Sequence, residues 1–204
     1  MIRLPDDIET KLAAVAPGGI DYSSTTSKQG SITAWCDLAH TDDLLPVAKM
    51  LLDLDARLAM ASAMQPPAPE GEEEDESEEP SEGEKPAKEV PKTFGGTPID
   101  GKSYEIDYHF VLGGDFLTIV VYAPAGGSVP SLTPYFRAAD WPEREMMENY
   151  AIQVRGHPDP RRLFLDPSIE TAALERLIPY STLVNAASTK GLWDRVIAAK
   201  GGAS

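Results

Sequence analysis

The spacing of apolar residues in the first third of the chain predicts two helices and two strands. Residues 5–16 and 41–55 repeat apolar side chains every three or four positions, which is typical of a helix with one buried face. Residues 31–38 alternate apolar and polar side chains, which indicates a strand that buries Cys36. Residues 57–64 fit either the end of the second helix or a strand. We favour a strand, because the sheet then continues beyond the next segment.

The clearest local pattern in the chain is a β-hairpin. Residues 104–112 alternate strictly, and residues 116–123 form a second, more apolar run. A glycine pair at 113–114 can supply the positive φ angles that a tight turn needs. The side of the first strand that we expect to be buried carries Tyr104, Ile106, Tyr108, Phe110 and Leu112.

A loop, a helix and a short extended stretch are expected after the hairpin. Residues 124–134 contain three prolines and two adjacent glycines, which favour a loop. Residues 140–150 have a helical start signal, because Asp140 can cap the helix and Glu143, three residues later, completes a capping box. Residues 152–154 are typical of a short extended piece.

Composition indicates one α+β domain with an insertion and a tail. Residues 66–92 are rich in Pro and Glu and hold too few apolar side chains to offset the entropy of ordering. We therefore predict a disordered acidic insert there. Residues 1–65 and 93–166 would form the two parts of a mainly antiparallel sheet with packed helices, and residues 167–204 a peripheral tail.

The negative charge is concentrated in the insert. It carries eleven acidic residues against three lysines, and so holds −8 of the formal charge of −15. Nucleic acid and anionic lipid offer no cations to pair with carboxylates, so neither is expected as the primary partner.

Cysteine and histidine are too sparse for common metal and disulfide sites. The only cysteine is Cys36, and the histidines are His40, His109 and His157. A single thiol excludes an internal disulfide and does not suffice for an iron–sulfur cluster, which needs several thiolates. No run of eighteen apolar residues occurs, so no membrane-spanning helix is expected.

Three runs in the C-terminal half resemble a family signature. They are Leu-Thr-Pro-Tyr-Phe at 132–136, Ala-Asp-Trp-Pro-Glu-Arg-Glu-Met at 139–146 and Gly-His-Pro-Asp-Pro-Arg-Arg-Leu at 156–163. They resemble the thirty-kilodalton subunit family of NADH:quinone oxidoreductases. The usual pattern there is a Trp or Phe, one residue, Glu-Arg-Glu, a short helix and Gly-His-Pro-Asp-Leu-Arg-Arg. The resemblance is strong over 104–166 and weaker over 31–64.

The resemblance implies a structural subunit that holds no cofactor itself. Such a subunit packs on a large partner that is similar to the forty-nine-kilodalton subunit or to nickel–iron hydrogenases, beside a small iron–sulfur subunit. Iron–sulfur clusters, and in a hydrogenase-type complex a nickel–iron centre, belong to those partners. The expected location is peripheral, on the cytoplasmic face of the cell membrane, with contact to the membrane only through the complex. The subunit would support electron transfer coupled to ion translocation.

The chain departs from the family pattern in two places. The helix normally has Asp three residues after the second Glu of the motif, where this chain has Glu148. Complex I members also continue into a Pro-Leu-Arg-Lys-Asp-Phe-Pro-like tail, and no such run follows Leu165. Because the homologous subunits of energy-converting hydrogenases are often shorter, the second departure favours a hydrogenase-type complex.

The signature residues are the candidate subunit interface, and no catalytic, cofactor-binding or metal-binding residue is expected. The candidates are Trp141, Glu143, Arg144, Glu145, Glu148, Gly156, His157, Asp159, Arg161 and Arg162. Without the resemblance, the plain interpretation of the charged helix is a cap with surface ion pairs, including one between Arg144 and Glu148. His157 is then a turn residue bonded to backbone.

Two alternative functions remain from the residues alone. Glu145, Glu148 and His157 are the side chains that a stand-alone small-molecule hydrolase would use. An adaptor protein would instead bind a basic partner through the acidic residues of 66–92. Trp35, Trp141 and Trp193 are expected in the core or at an interface rather than stacked on a cofactor.

Overall fold

A computed structural model of the chain describes residues 3–69 and 90–165. They contain helices α1 (Ile8–Val15), α2 (Leu44–Asp53) and α3 (Asp140–Asn149), and strands β1 (Ile20–Thr26), β2 (Ile32–Leu38), β3 (Arg57–Met64), β4 (Tyr104–Leu112), β5 (Asp115–Ala123), β6 (Ser128–Pro130) and β7 (Gln153–Arg155). All of the described residues belong to one compact unit.

The main sheet has five strands in the order β1-β2-β5-β4-β3. Neighbouring strands are antiparallel except for β2 and β5, which are parallel. The predicted class, α+β with a mainly antiparallel sheet, is therefore confirmed. The predicted disorder of the insert stays a prediction, because residues 70–89 are not among the described residues.

The β4–β5 hairpin has the predicted two-residue turn. Leu112 pairs with Asp115, so only Gly113 and Gly114 lie between the strands. Their φ angles are +56° and +97°, which residues with a Cβ rarely adopt. The five residues expected on the buried side of β4 are all buried. Residues 57–64, which were ambiguous, form strand β3.

Two strands were missed, and both lack an apolar alternation. Strand β1 is an edge strand with the polar sequence Ile-Asp-Tyr-Ser-Ser-Thr-Thr, and most of it is exposed. Strand β6 lies inside the stretch 124–134, which was expected to be a loop. It pairs in parallel with β7 and forms a second, two-stranded sheet.

The helices bury one face of the sheet in a single core. The apolar stripes of α1 and α2 meet the inward-facing residues of β2, β5 and β4 there. Cys36 is fully buried in this core, as predicted, and burial raises the pKa of its thiol to about 12. Burying apolar surface of this kind stabilises the fold by about 25 cal/mol per Å².

Asp115 ties the N-terminus to the hairpin turn. Its buried carboxylate accepts hydrogen bonds from the backbone N–H groups of Leu4 (3.1 Å) and Ile32 (2.8 Å). Arg3 donates two further bonds, from Nε (3.0 Å) and Nη2 (2.7 Å). These bonds lower the pKa of Asp115 to about 2, with the bond from Arg3 the main cause.

Most of the predicted insert and the whole predicted tail lie outside the described residues. Residues 66–69 and 90–92 of the insert are described, whereas the acidic stretch between them is not. The tail at 167–204, with Trp193, is not described either. Those domain boundaries remain predictions.

Candidate docking site

Helix α3 continues from a 3₁₀ turn and does not begin at a side-chain cap. The turn covers Arg137–Ala139, and Ala139, the N-cap residue, has helical backbone angles (φ −77°, ψ −21°). Among the described residues, no side chain caps the first turn. The predicted capping box of Asp140 and Glu143 is therefore wrong, because the 3₁₀ turn already extends the helical backbone ahead of Asp140.

Glu143 instead points into the protein and binds the segment that follows β6. Its side chain is fully buried. One carboxylate oxygen accepts the backbone N–H of Leu132 (2.6 Å), and the other accepts the hydroxyls of Ser131 (2.6 Å) and Thr133 (2.8 Å). Hydrogen bonds to a carboxylate are stronger than neutral ones, so Glu143 links α3 firmly to residues 131–133.

Glu148 binds a second segment in the same way. Its buried carboxylate accepts the backbone N–H groups of Leu163 (2.8 Å), Phe164 (3.0 Å) and Leu165 (2.9 Å). Burial acts to raise the pKa of Glu148, but these N–H groups and the charge of Arg162 outweigh it and lower the pKa. The carboxylate is thus ionised and fully engaged with backbone.

Arg144 binds the carbonyl groups of that segment. Its Nε donates to the carbonyl of Arg161 (2.7 Å), and its Nη2 donates to the carbonyl of Arg162 (2.9 Å). Within the described residues no ion pair joins Arg144 to Glu148. Arg144 instead lies near the carboxylates of Asp140 (4.0 Å) and Asp159 (3.9 Å). The interpretation as surface ion pairs is therefore wrong for Glu143 and Glu148, which are buried and bind backbone and hydroxyl groups, whereas Arg144 does form ion pairs, with partners other than Glu148.

His157 is bonded to backbone in the turn after β7, as the plain interpretation predicted. Its Nδ1 accepts the N–H of Asp159 (3.0 Å), which leaves the ring proton on Nε2. Nε2 faces the carbonyl oxygen of Asp140 (3.3 Å), the Oδ1 of Asp140 (3.5 Å) and the Oε2 of Glu143 (3.8 Å). Gly156 precedes it with φ +78°, a conformation that favours glycine.

Asp159 and Arg161 form a two-bond ion pair at the end of this turn. Arg161 donates from Nε and Nη2 to the two carboxylate oxygens, both at 2.6 Å. These bonds are the main reason that the pKa of Asp159 lies well below its usual range. The guanidinium of Arg161 remains mostly exposed, so the pair is part of the surface.

Two large aromatic side chains are exposed at the signature and directly after it. Trp141 is 61% exposed and Phe164 is 67% exposed, and their rings meet edge to face with centroids 6.2 Å apart. Glu145, four residues after Trp141 on α3, is also exposed. An open cleft of about 500 Å³ lies nearby, with Arg144, Met147, Tyr150, Ile152 and Arg162 in its walls.

The structure divides the ten predicted interface residues into three groups. Glu143, Glu148 and His157 are buried, and Arg144 is bonded to backbone, so these residues position the segments around α3. Trp141, Glu145, Gly156 and Arg161 are exposed, whereas Asp159 and Arg162 are partly buried. Sequence reasoning missed Phe164, Ser131 and Thr133, because their contacts join positions ten or more residues apart.

No atom of Glu148 or His157 is free for a substrate. The carboxylate of Glu148 is occupied by three N–H groups, and the side chain of His157 is fully buried. Among residues 3–69 and 90–165, no group of three or more His, Cys, Asp or Glu side chains could hold a metal ion. The geometry therefore disfavours the hydrolase alternative.

Comparison with known proteins decides the family. The sequence model of the family described as "Respiratory-chain NADH dehydrogenase, 30 Kd subunit" matches residues 39–182. This chain belongs to that family. The match covers α2, α3 and the described strands from β3 onward, and so includes the whole candidate site.

Curated relatives match this chain over shorter stretches. The C-subunit of NADH-quinone oxidoreductase from Mesorhizobium japonicum is 35% identical over 89 residues, which is 43% of this chain and 44% of the relative. The C-subunit from Methylorubrum extorquens is 41% identical over 66 residues (32% and 30%). The J-subunit of NAD(P)H-quinone oxidoreductase from a Synechococcus strain is 55% identical over 38 residues (19% and 21%). The matched part thus spans less than half of each of these relatives.

One solved structure also aligns along most of the chain. It is a chain of the membrane-bound sulfane sulfur reductase, an archaeal respiratory membrane complex, with 86% of this chain and 88% of that chain covered. The TM-score is 0.42 and the identity 14%, a likeness too low to argue from.

No helix within the described part of this NADH dehydrogenase-family chain is long and apolar enough to cross a bilayer.

Proposed function

We propose that this chain is a structural subunit of a respiratory or energy-converting hydrogenase complex, and that it docks on a large partner similar to the forty-nine-kilodalton subunit. Membership of the NADH dehydrogenase subunit family supports the general role. The complex would lie on the cytoplasmic face of the membrane, and this chain would touch the membrane only through it. Electrons would pass through iron–sulfur clusters of the partners, in a hydrogenase-type complex with a nickel–iron centre, and not through this chain.

The observation that carries the proposal is the exposed pair of Trp141 and Phe164. Aromatic rings with more than half of their surface in water cost free energy unless a partner covers them. The ring of Phe164 is held in place because Glu148 binds its backbone N–H and Arg144 binds the carbonyls just before it. A pre-positioned aromatic pair beside charged residues is a common form of interface anchor.

Purification of the tagged chain from its native host in mild detergent tests the role. We expect a large subunit of the forty-nine-kilodalton or nickel–iron type to elute with the chain. Analysis of bound iron and nickel would then separate complex I from hydrogenase. A chain that elutes alone would contradict the proposal.

A double variant tests the anchor itself. Trp141→Ala with Phe164→Ala should lower the fraction of large subunit in the eluate by at least tenfold, because central aromatic anchors contribute about 2 kcal/mol or more to binding. Leu52→Ala is the matched control, since Leu52 is a large apolar residue with 43% exposure on α2. Equal yields from the variant and the control would show that the pair is no anchor.

A further inference from the structure

The second face of the five-stranded sheet carries an organised pattern of its own. Strand register places its outward side chains in lateral rows that cross all five strands. One row reads Asp21, Asp37, Val120, Asp107 and Ser62, and the next reads Ser23, Trp35, Thr118, His109 and Met60. A third row reads Thr25, Thr33, Phe116, Val111 and Arg57. We call this surface the outer sheet face.

The first row contains three carboxylates, and no Lys or Arg among the described residues lies in it. Asp21 and Asp37 are directly opposite each other, and Glu105 lies two residues before Asp107 on β4, on the same face. Like charges opposite each other across strands are destabilising. Burial, and then Asp21 and Glu105, raise the pKa of Asp37, and no Lys or Arg in the described ranges acts to lower it.

Asp107 adds a buried atom that lacks a partner among the described residues. The residue as a whole is 9% exposed, and its Oδ1 is buried and makes no hydrogen bond to the described residues. Burial, followed by the charges of Glu105 and Asp37, raises its pKa to about 6. A buried carboxylate oxygen without a partner costs about 1–3 kcal/mol or more, so an incoming donor would gain that much by pairing with the row.

Two basic side chains among the described residues, Arg57 and His109, also lie on this face, but in other rows. Arg57 lies two rows away, opposite Val111. His109 lies one row away, where burial lowers its pKa and its Nδ1 is 3.0 Å from the hydroxyl of Thr118. His109 is therefore neutral at physiological pH and does not compensate the carboxylates.

Large apolar side chains surround the carboxylates. Trp35, Met60, Met64 and Phe116 are each between 42% and 52% exposed, although they belong to strands whose other faces are buried. Trp35 and Met60 both lie in the row next to the acidic one, on β2 and β3. Thr118 and His109 separate these two side chains, so the exposed apolar area is distributed across the face. Large exposed apolar side chains with charge beside them are typical of a protein interface.

We propose that the outer sheet face binds a segment of another subunit in which a Lys or Arg is flanked by apolar residues. The cation enters the row of Asp21, Asp37 and Asp107, and the apolar residues cover Trp35 and Met60. This inference rests on the proposed function, because it assumes a multi-subunit complex. It assigns a second interface, separate from the Trp141 and Phe164 anchor.

Other occupants fit the chemistry less well. A second copy of this chain would bring a like acidic row, and a net charge of −15, against the first. Nucleic acid and anionic lipid would meet the same repulsion. A wholly apolar segment would leave the carboxylates desolvated and unpaired.

Photo-crosslinking within the native complex tests the site. Trp35 is replaced by photoreactive benzoylphenylalanine in the tagged full chain, with the same replacement at Leu52 as the control. We expect position 35 alone to crosslink to one segment of a co-eluting subunit, and that segment to contain Lys or Arg. A crosslink to a second copy, to this chain itself or to a segment without Lys or Arg would overturn the proposal.

The outcomes separate the two proposals. If the large subunit is present in the eluate but position 35 gives no crosslink, the second interface is wrong and the proposed function stands. If the chain elutes without any other subunit, both are wrong.

Charge variants give a signature that a merely structural role would not produce. Asp37→Asn with Asp107→Asn should raise the melting temperature of the isolated chain, because repulsion is removed, and yet reduce assembly on the order of tenfold. Asp53→Asn, an exposed acid at the end of α2, should change neither. The Asp37→Lys variant should lose assembly. Replacement of the Lys or Arg in the crosslinked segment by Glu should restore it. Unchanged assembly of the double variant, or failure of that reversal, would contradict the proposal.

Discussion

Arg144 and Glu148 lie one helical turn apart on α3 and bind opposite groups of one segment. Arg144 donates to the carbonyls of residues 161 and 162, and Glu148 accepts the N–H groups of residues 163–165. The segment that presents Phe164 thus has five backbone groups paired with two side chains. Its position depends on these side chains, because it forms no regular secondary structure.

Glu148→Gln should therefore release this segment. The amide has one acceptor oxygen in place of two and carries no charge, so at least one buried N–H loses its partner. We expect a loss of about 1–3 kcal/mol in the free energy of unfolding, measured by chemical denaturation, and faster proteolysis near Phe164. Glu145→Gln is the matched control on the same helix, and as an exposed change it should cost less than about 0.5 kcal/mol. Equal effects would contradict the assigned role of Glu148.

The same carboxylate predicts an acid-sensitive contact. Because the pKa of Glu148 is lower in the folded chain than its usual value of 4.5, its contribution is complete above pH 4.5 and is lost as pH falls below that value. Hydrogen exchange at residues 163–165 should accelerate relative to the rest of the chain in this range. In Glu148→Gln the acceleration should be absent.

Glu143→Ala should be more damaging than Glu143→Gln. Alanine leaves the hydroxyls of Ser131 and Thr133 and the N–H of Leu132 buried without an acceptor, at about 3 kcal/mol or more in total. Glutamine keeps one acceptor, and the hydroxyls can rotate to accept from its amide. Denaturation curves of the two variants should differ by more than about 1 kcal/mol. Coincident curves would show that the three bonds contribute little.

Sequence reasoning succeeded where a pattern is local. The alternation in β4, the glycine pair after it and the helical spacing of α2 each determine structure within ten residues, and all three were predicted. The polar edge strand β1 has no such pattern, since neither of its faces is buried along its whole length. The distinction between 57–64 as helix or strand depended on tertiary pairing with β4.

The chemistry of the site was predicted less well, for a related reason. Glu143 matched a capping box, which is a local pattern, but its partners at 131–133 come from a different segment. The same holds for Glu148 and residues 163–165. The acidic row on the outer sheet face is set by strand register between β1, β2, β5 and β4, which no single stretch of sequence reveals.

Asp115→Asn should weaken the tie between the N-terminus and the hairpin. The pKa of Asp115 is lowered to about 2 from 3.8, so its contribution is complete above pH 3.8 and is lost as pH falls toward 2. Since Arg3 is 56% exposed and screened by solvent, we expect about 1–2 kcal/mol rather than the full linkage value. Thermal melts of the variant at pH 7 should show this loss. A variant as stable as the parent at pH 7 would contradict the prediction.

Asp107 should produce the opposite dependence on pH. Its pKa is raised from 3.8 to about 6, so the folded chain is favoured while Asp107 is protonated, and stability falls as pH rises from about 4 to above 6. A shift of this size corresponds to about 2–3 kcal/mol. Asp107→Asn keeps the shape and cannot ionise, so its free energy of unfolding should lack this fall and exceed that of the parent at pH 7. Asp53→Asn should retain the fall, because Asp53 is exposed at the end of α2. If the parent and Asp107→Asn lose stability equally between pH 4 and pH 7, Asp107 ionises there without cost, and the outer sheet face has no unpaired carboxylate to offer a partner.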